Sequence, residues 1–253
     1  MSPKTIDLLR QYADRYETGN FIQGDPSWWM HQVEGNANRE ATAFVAAALS
    51  YGSRSQFMPK IGTLLHYAEG DMQRWIAQGL YRRHFESGDK TCFYRLYNNA
   101  AMRQFLDNCN SLLNQHGTFG GFVAAMPTPQ NNTKRDALNV VDAFCRFFAQ
   151  NPTPVIPTST NSACKRLCMF MRWMVRDHSP VDLGLWAHLV DKQTLIIPLD
   201  THVVSEAQRL HLIECSNATM STALKLTRKM QLVFPDDPAR ADFALFGYGV
   251  DNN

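Results

Sequence analysis

Apolar residues recur at helical spacing along almost the whole chain, whereas alternating, strand-like patterns are scarce and short. The clearest example is the set Ala41, Phe44, Val45, Ala48 and Leu49, which follows the i, i+3, i+4, i+7, i+8 spacing of one helix face. A helix of this kind must bury its apolar stripe against other elements. The chain is therefore predicted to be an all-α protein, including a helix-rich stretch over residues 72–113.

The composition excludes few classes of function. The chain has 253 residues, 45% of them hydrophobic and 19% charged, with a net charge of +2. These values are ordinary for a globular protein and neither require nor exclude a polyanionic partner. The cysteines form no CxxC pair, so we expect free and mostly buried thiols, and neither a metal site nor a cofactor. They are Cys92, Cys109, Cys145, Cys164, Cys168 and Cys215.

No apolar run approaches the roughly 20 residues that a membrane-spanning helix needs. The opening residues, MSPKTIDLLRQY, lack the apolar segment of a signal peptide. We therefore expect a cytoplasmic protein without a membrane partner.

Residues 163–176 form the most informative predicted helix. Projection at 100° per residue places four apolar residues on one face, namely Leu167, Phe170, Met171 and Met174. Lys165, Arg172 and Arg176 fall on the opposite face, which is either a plain solvated surface or a surface that contacts an anion. Lys165 lies in the first turn, where the helix dipole disfavours the ammonium form and so favours a nucleophilic amine.

A second informative segment begins with the apolar residues 195–199, which run into a helix that starts near Asp200 and Thr201. A carboxylate at this position can cap the free amides of the helix and is held ionised by the helix dipole. Simple capping and catalysis are both open for Asp200 at this point.

Together the two segments resemble the helix-hairpin-helix DNA glycosylase superfamily, which includes endonuclease III and the 8-oxoguanine glycosylases. Lys165 matches the catalytic lysine of that family, and the segment ProLeuAspThrHisVal, residues 198–203, matches its catalytic aspartate motif. Residues 42–55 are similar to the early helix and turn that border the DNA. The ending, residues 242–249, is similar to a bacterial family related to the archaeal 8-oxoguanine glycosylases.

The chain departs from the family in three respects. The glycine-rich hairpin that normally precedes the lysine is replaced by ThrAsnSerAlaCysLys, residues 160–165. The separation between lysine and aspartate is longer than in endonuclease III, as it is in the archaeal branch. The carboxy-terminal cysteine cluster that holds iron and sulfur in endonuclease III is absent, so no iron-sulfur cluster is expected.

The resemblance implies two packed helical subdomains with a cleft between them. Residues 36–178 would form one subdomain, and residues 1–35 with 179–253 the other. It also implies a monomeric DNA glycosylase and lyase that acts on duplex DNA containing a damaged base, with an oxidised purine as the nearest guess. Lys165 would form a Schiff base, and Asp200 would assist it.

Further residues are candidates for contacts with the DNA. Five would hold phosphates, with simple solvent exposure as the alternative for each: Ser53, Arg54, Ser55, Arg172 and Arg176. His202 could contact a phosphate or merely pack. Three aromatic side chains could stack on an extruded base or simply form core, namely Trp173, Trp186 and Phe85. Two other functions stay open: a catalytically inactive nucleic-acid-binding protein of the same fold, and a helical protein-interaction scaffold.

Overall fold

The structure, a computed structural model, describes residues 1–128, 133–214 and 217–252. Within these ranges it is mostly helical, which confirms the all-α prediction in its main point. The twelve α-helices in the described ranges are α1 (Pro3–Tyr16), α2 (Trp28–His31), α3 (Asn36–Leu49), α4 (Arg54–Tyr67), α5 (Met72–Ala77), α6 (Asn99–His116), α7 (Phe119–Ala125), α8 (Ala137–Ala149), α9 (Lys165–Val175), α10 (Thr201–Arg209), α11 (Met220–Met230) and α12 (Ala241–Asn252). Short 3-10 helices cover Gly19–Ile22, Leu80–Arg83, Lys192–Thr194 and Pro238–Arg240.

A small antiparallel hairpin interrupts the stretch over residues 72–113 that was predicted to be helix-rich. Its strands are β1 (Cys92–Tyr94) and β2 (Tyr97–Asn98). Tyr94 and Tyr97 are buried, and aromatic residues favour strands when they pack on one side of a sheet. Arg95 closes the turn with a φ of 50°. The search for helical periodicity missed the hairpin because its two strands are only three and two residues long.

The chain divides into two compact units. Unit 1 comprises residues 1–23, 131–142 and 160–253, and unit 2 comprises residues 24–130 and 143–159. This division differs from the expected subdomains, because residues 24–35 fall in unit 2 while residues 131–142 and 160–178 fall in unit 1.

Ion pairs within unit 1 explain why α9 belongs to this unit. Arg172 binds Asp242, and Arg176 binds Asp237 and Glu17, all of them in unit 1. These buried pairs tie α9 to the carboxy-terminal segments and to α1.

Unit 2 is built around α3. Every residue from Glu40 to Leu49 is buried, so the predicted apolar stripe is present but the whole helix is enclosed. Alanines fill much of its other face, which lets α2, α4, α5 and α7 pack closely against it. The ring of Phe44 lies 4.4 Å from that of Phe119 and 5.7 Å from that of Phe148, measured between ring centroids.

Unit 1 packs α1 against α12, which in turn contacts α10. Gly247 permits the close approach of α1 and α12, because a Cβ there would lie 2.2 Å from the Tyr16 ring. Helix α9 is buried from Leu167 to Val175, and only its first two residues, Lys165 and Arg166, are partly exposed. The predicted apolar face of α9 is therefore confirmed, and the amino end of this helix reaches the surface.

Candidate functional site

Lys165 is the first residue of α9, which starts two residues later than the predicted helix and keeps Lys165 in the first turn as predicted. The residue before it, Cys164, adopts the left-handed conformation with φ 46° and ψ 37°, which is uncommon for a residue other than glycine. The approach to the helix is fixed by a backbone hydrogen bond from the Ala163 amide to the Ala218 carbonyl, at 3.2 Å, and by an antiparallel bridge between Ser162 and Thr219. Pairing with a neighbouring segment thus positions this lysine without a glycine-rich hairpin.

Asp200 is the N-cap of α10, which confirms the predicted start of that helix. Its backbone is extended, and its Oδ1 accepts a hydrogen bond of 2.9 Å from the Val203 amide. The preceding residues 195–199 are all buried, so the apolar segment anchors the start of α10 in the core of unit 1. The cap uses one carboxylate oxygen and leaves Oδ2 for another partner.

That partner is Lys165. The Lys165 Nζ lies 3.5 Å from the Asp200 Oδ2, and each side chain is about one-third exposed, at 32% and 33%. The structure therefore brings the amine and the carboxylate together within one unit, at the amino ends of two helices. A partly exposed ion pair contributes only about 0–1 kcal/mol to stability. Stability alone thus gives little reason for a lysine at the end of a helix where cations are disfavoured.

Four other predicted contacts are accessible. His202 is exposed in the first turn of α10, close in sequence to Asp200. Ser53, Arg54 and Ser55 are exposed at the start of α4 in unit 2. Arg54 pairs with the buried Asp25 at 3.4 Å, and the Ser53 and Ser55 hydroxyl oxygens lie 2.7 Å apart. These positions permit the predicted phosphate contacts, which stay predictions.

The phosphate contacts predicted for Arg172 and Arg176 are wrong for the structure described here, because both side chains are only 2% exposed. Arg176 donates hydrogen bonds to Glu17 at 2.6 Å and to Asp237 at 2.8 Å, and it also binds Asp182. Arg172 reaches the other oxygen of Asp182 at 3.3 Å. Periodicity assigns charged residues to a solvated face, but here distant carboxylates make burial of the guanidinium groups tolerable.

The proposed base-stacking residues also need correction. Trp173, Trp186 and Phe85 are at most 1% exposed. Trp186 packs edge-on against Phe170 with a centroid distance of 5.0 Å, and Phe85 packs edge-on against Phe93 at 5.3 Å. A ring enclosed in this way cannot stack on an extruded base, so the core interpretation is correct for all three.

The sequence reasoning missed the contribution of the segment before α11. Ala218 and Thr219 hold the residues that precede Lys165, and Thr219 also caps α11 by accepting a hydrogen bond from the Thr222 amide. A threonine just before an apolar helical pattern is a usable N-cap signal. Nothing in the sequence pairs it with residue 162, because that contact spans more than fifty residues.

Among the described residues, no group of three or more His, Cys, Asp and Glu side chains is arranged to hold a metal ion, and no helix is long and apolar enough to cross a membrane. Of the five described cysteines, Cys92 is exposed and the other four are buried. Cys215 lies outside the described residues.

Unit 1 therefore presents a lysine–aspartate pair at two helix ends within a mostly helical protein. The model of the DUF2400 family, described as a protein of unknown function, matches residues 25–251. The chain belongs to this family. No curated protein and no solved structure matches it.

Proposed function

We propose that the chain is a DNA glycosylase with lyase activity, with Lys165 as the nucleophile and Asp200 as its proton-transfer partner. The observation that carries the proposal is the 3.5 Å approach of the Lys165 Nζ to the Asp200 Oδ2 at two helix ends. The motifs that resemble the glycosylase superfamily select this chemistry from the reactions that such a pair could perform. The helix-hairpin-helix architecture and the cleft are part of the same proposal.

The pair suits attack on a sugar carbon. Asp200 accepts the proton that the Lys165 ammonium loses, and the neutral amine then bonds to C1′ as the glycosidic bond breaks. The electron pair of that bond leaves with the base, which takes up a proton. Because Oδ1 is held by the Val203 amide, the Asp200 carboxylate stays oriented toward the amine throughout.

Strand cleavage follows from the covalent product. Opening of the sugar ring converts the Lys165–C1′ bond into an iminium, a Schiff base. Removal of a proton from C2′ then expels the 3′ phosphate. The substrate must first be extruded from the duplex, which costs least for a damaged or mispaired base. Both reacting side chains are one-third exposed, so the pair is accessible to an extruded nucleotide.

Borohydride trapping tests the nucleophile, because it reduces the iminium to a stable covalent adduct. A panel of duplexes, each with one lesion or abasic site, would be incubated with the wild type and with Lys165→Gln. We expect an adduct with at least one duplex for the wild type and none for Lys165→Gln. Wild-type trapping by Lys165→Gln would remove this residue from the chemistry.

A second lysine–aspartate pair in unit 1 supplies the control. Lys192 binds Asp177, and their exposures of 29% and 38% are close to those of the candidate pair. Lys192→Gln should trap as the wild type does. Duplex binding by the wild type without an adduct on any lesion would instead favour an inactive nucleic-acid-binding protein.

Asp200→Asn separates catalysis from capping. Asparagine caps helices about as well as aspartate, so the fold should be retained. Loss of the carboxylate should slow base release by about 10²- to 10⁴-fold, the usual contribution of a positioned acid or base. A folded Asp200→Asn variant with wild-type base release would restrict Asp200 to the role of a cap.

A further inference from the structure

Helix α11 carries three cations on its exposed side, Lys225, Arg228 and Lys229. Projected at 100° per residue, they fall within a sector of about 100°, while Ala223 and Leu226 lie outside this sector and are buried. We call Lys225, Arg228 and Lys229 the α11 stripe. Its members span about 6 Å along the helix axis.

The α11 stripe has no acidic counterpart among the residues that the structure describes. Residues 215–235 contain neither Asp nor Glu. Within the part of the chain that the structure describes, none of the three cations forms an ion pair. Arg228 and Lys229 lie in the last turn, where they complement the helix dipole. Lys225 lies in the middle of α11, so the dipole does not explain its position.

The amino end of α11 adjoins the candidate site. The Ala218 carbonyl accepts a hydrogen bond from the Ala163 amide, and Thr219, the N-cap of α11, forms a bridge with Ser162. Lys165 follows this paired segment directly. The α11 stripe therefore runs along a helix that begins beside the proposed nucleophile.

We propose that the α11 stripe binds the phosphate backbone of duplex DNA and so takes the role that Arg172 and Arg176 cannot fill. The inference rests on the proposed function for the identity of the polyanion. A single sign of charge without interspersed carboxylates suits a uniformly charged backbone better than the mixed rim of a protein partner. Contacts of this kind position the duplex and do not read its sequence.

The salt dependence of binding tests the inference without any catalytic step. Anisotropy of a fluorescein-labelled, undamaged duplex would be measured over a range of salt concentrations. The slope of log K against log salt is negative, and each lost phosphate contact reduces its magnitude by about 0.9. The triple variant Lys225→Gln/Arg228→Gln/Lys229→Gln should therefore have a slope that is smaller in magnitude by about 2.7. Between about 50 and 200 mM salt, the wild type should then lose about 40-fold more affinity than the triple variant.

A matched control removes the same charge elsewhere. Lys4, Arg83 and Lys90 are exposed and form no ion pair within the described ranges. Lys4→Gln/Arg83→Gln/Lys90→Gln should keep the wild-type slope to within about one contact, or about 0.9. Equal slopes for the wild type and the α11 variant would overturn the proposal, as would equal losses in the two triple variants.

The two proposals can fail independently. A salt slope of smaller magnitude in the α11 variant, together with no trapping on any lesion, would support DNA binding by the α11 stripe and contradict the proposed glycosylase activity. Trapping with an unchanged slope would do the reverse. An acidic peptide and unlabelled duplex would also be compared as competitors at equal concentrations of charge. If the peptide displaced the labelled duplex as strongly as unlabelled duplex does, the α11 stripe would be assigned to a protein partner and the proposal overturned.

Discussion

Replacement of Arg176 by methionine tests whether this residue is a buried structural cation. The guanidinium binds Glu17, Asp182 and Asp237 and is itself almost fully enclosed. Methionine is unbranched, uncharged and similar to arginine in volume, so Arg176→Met removes the cation without leaving a large void. The three carboxylates stay in place.

The contacts that survive set the size of the effect. Asp182 keeps Arg172, and Glu17 keeps Arg240. Asp237 has no other ion pair within the described residues. Loss of one partner from a buried ion pair costs about 3–5 kcal/mol. Because Asp182 and Glu17 each keep another cation, Arg176→Met should lower the free energy of unfolding by about 3 kcal/mol, the lower end of that range. With a urea dependence of roughly 2 kcal/mol per M, the unfolding midpoint should fall by roughly 1.5 M.

Urea unfolding followed by tryptophan fluorescence measures this fall, and Arg15→Met is the control. Arg15 also forms an ion pair in unit 1, with Asp251, but its side chain is 66% exposed. That substitution should cost at most about 1 kcal/mol. If Arg176→Met shifted the midpoint no more than Arg15→Met and instead weakened duplex binding, Arg176 would be a surface contact and the reasoning would be refuted.

Two further outcomes follow from unit 1. Gly247→Ala should destabilise the protein by about 1–3 kcal/mol, because the added Cβ meets the Tyr16 ring at 2.2 Å. Gly249→Ala is the control and should have a smaller effect, because its Cβ would lie 3.2 Å from Glu206. Equal thermal unfolding temperatures for the two variants would contradict the close packing at Gly247. Burial alone would raise the pKa of Glu17, but the Arg176 and Arg240 guanidinium groups lower it below its usual value of 4.5. Glu17 therefore stabilises the fold above that pH, and this contribution is lost as the pH falls through the lower folded-state pKa. Glu17→Gln should show a weaker loss of stability on acidification than the wild type, and an unchanged acid dependence in urea titrations would show that Glu17 is not involved.

Local sequence signals predicted the elements of the candidate site. An apolar periodicity with a lysine in its first turn was enough to place Lys165 at the start of α9. An apolar segment followed by an aspartate was enough to place Asp200 as the cap of α10. Both signals are local, because helix starts depend on residues within one turn of the end. The juxtaposition of the two residues came from the resemblance, and the 3.5 Å distance agrees with it.

Long-range packing decided the fate of the remaining side chains. Whether Arg172 and Arg176 face solvent or a carboxylate depends on Glu17, Asp182, Asp237 and Asp242, which lie up to 159 residues away along the chain. Periodicity records only that the arginines lie opposite an apolar stripe, so it could not distinguish a surface from a buried ion network.

The sequence by itself determined the helical class and the starts of α9 and α10, because these depend on spacing and on residue chemistry within one turn of a helix end. Only the tertiary structure decided which cations stay at the surface, since burial depends on what the rest of the chain packs against each residue. It buried Arg172 and Arg176 among carboxylates and left the α11 stripe in solvent. The same residue type thus stabilises a core in one helix and is available to a polyanion in another.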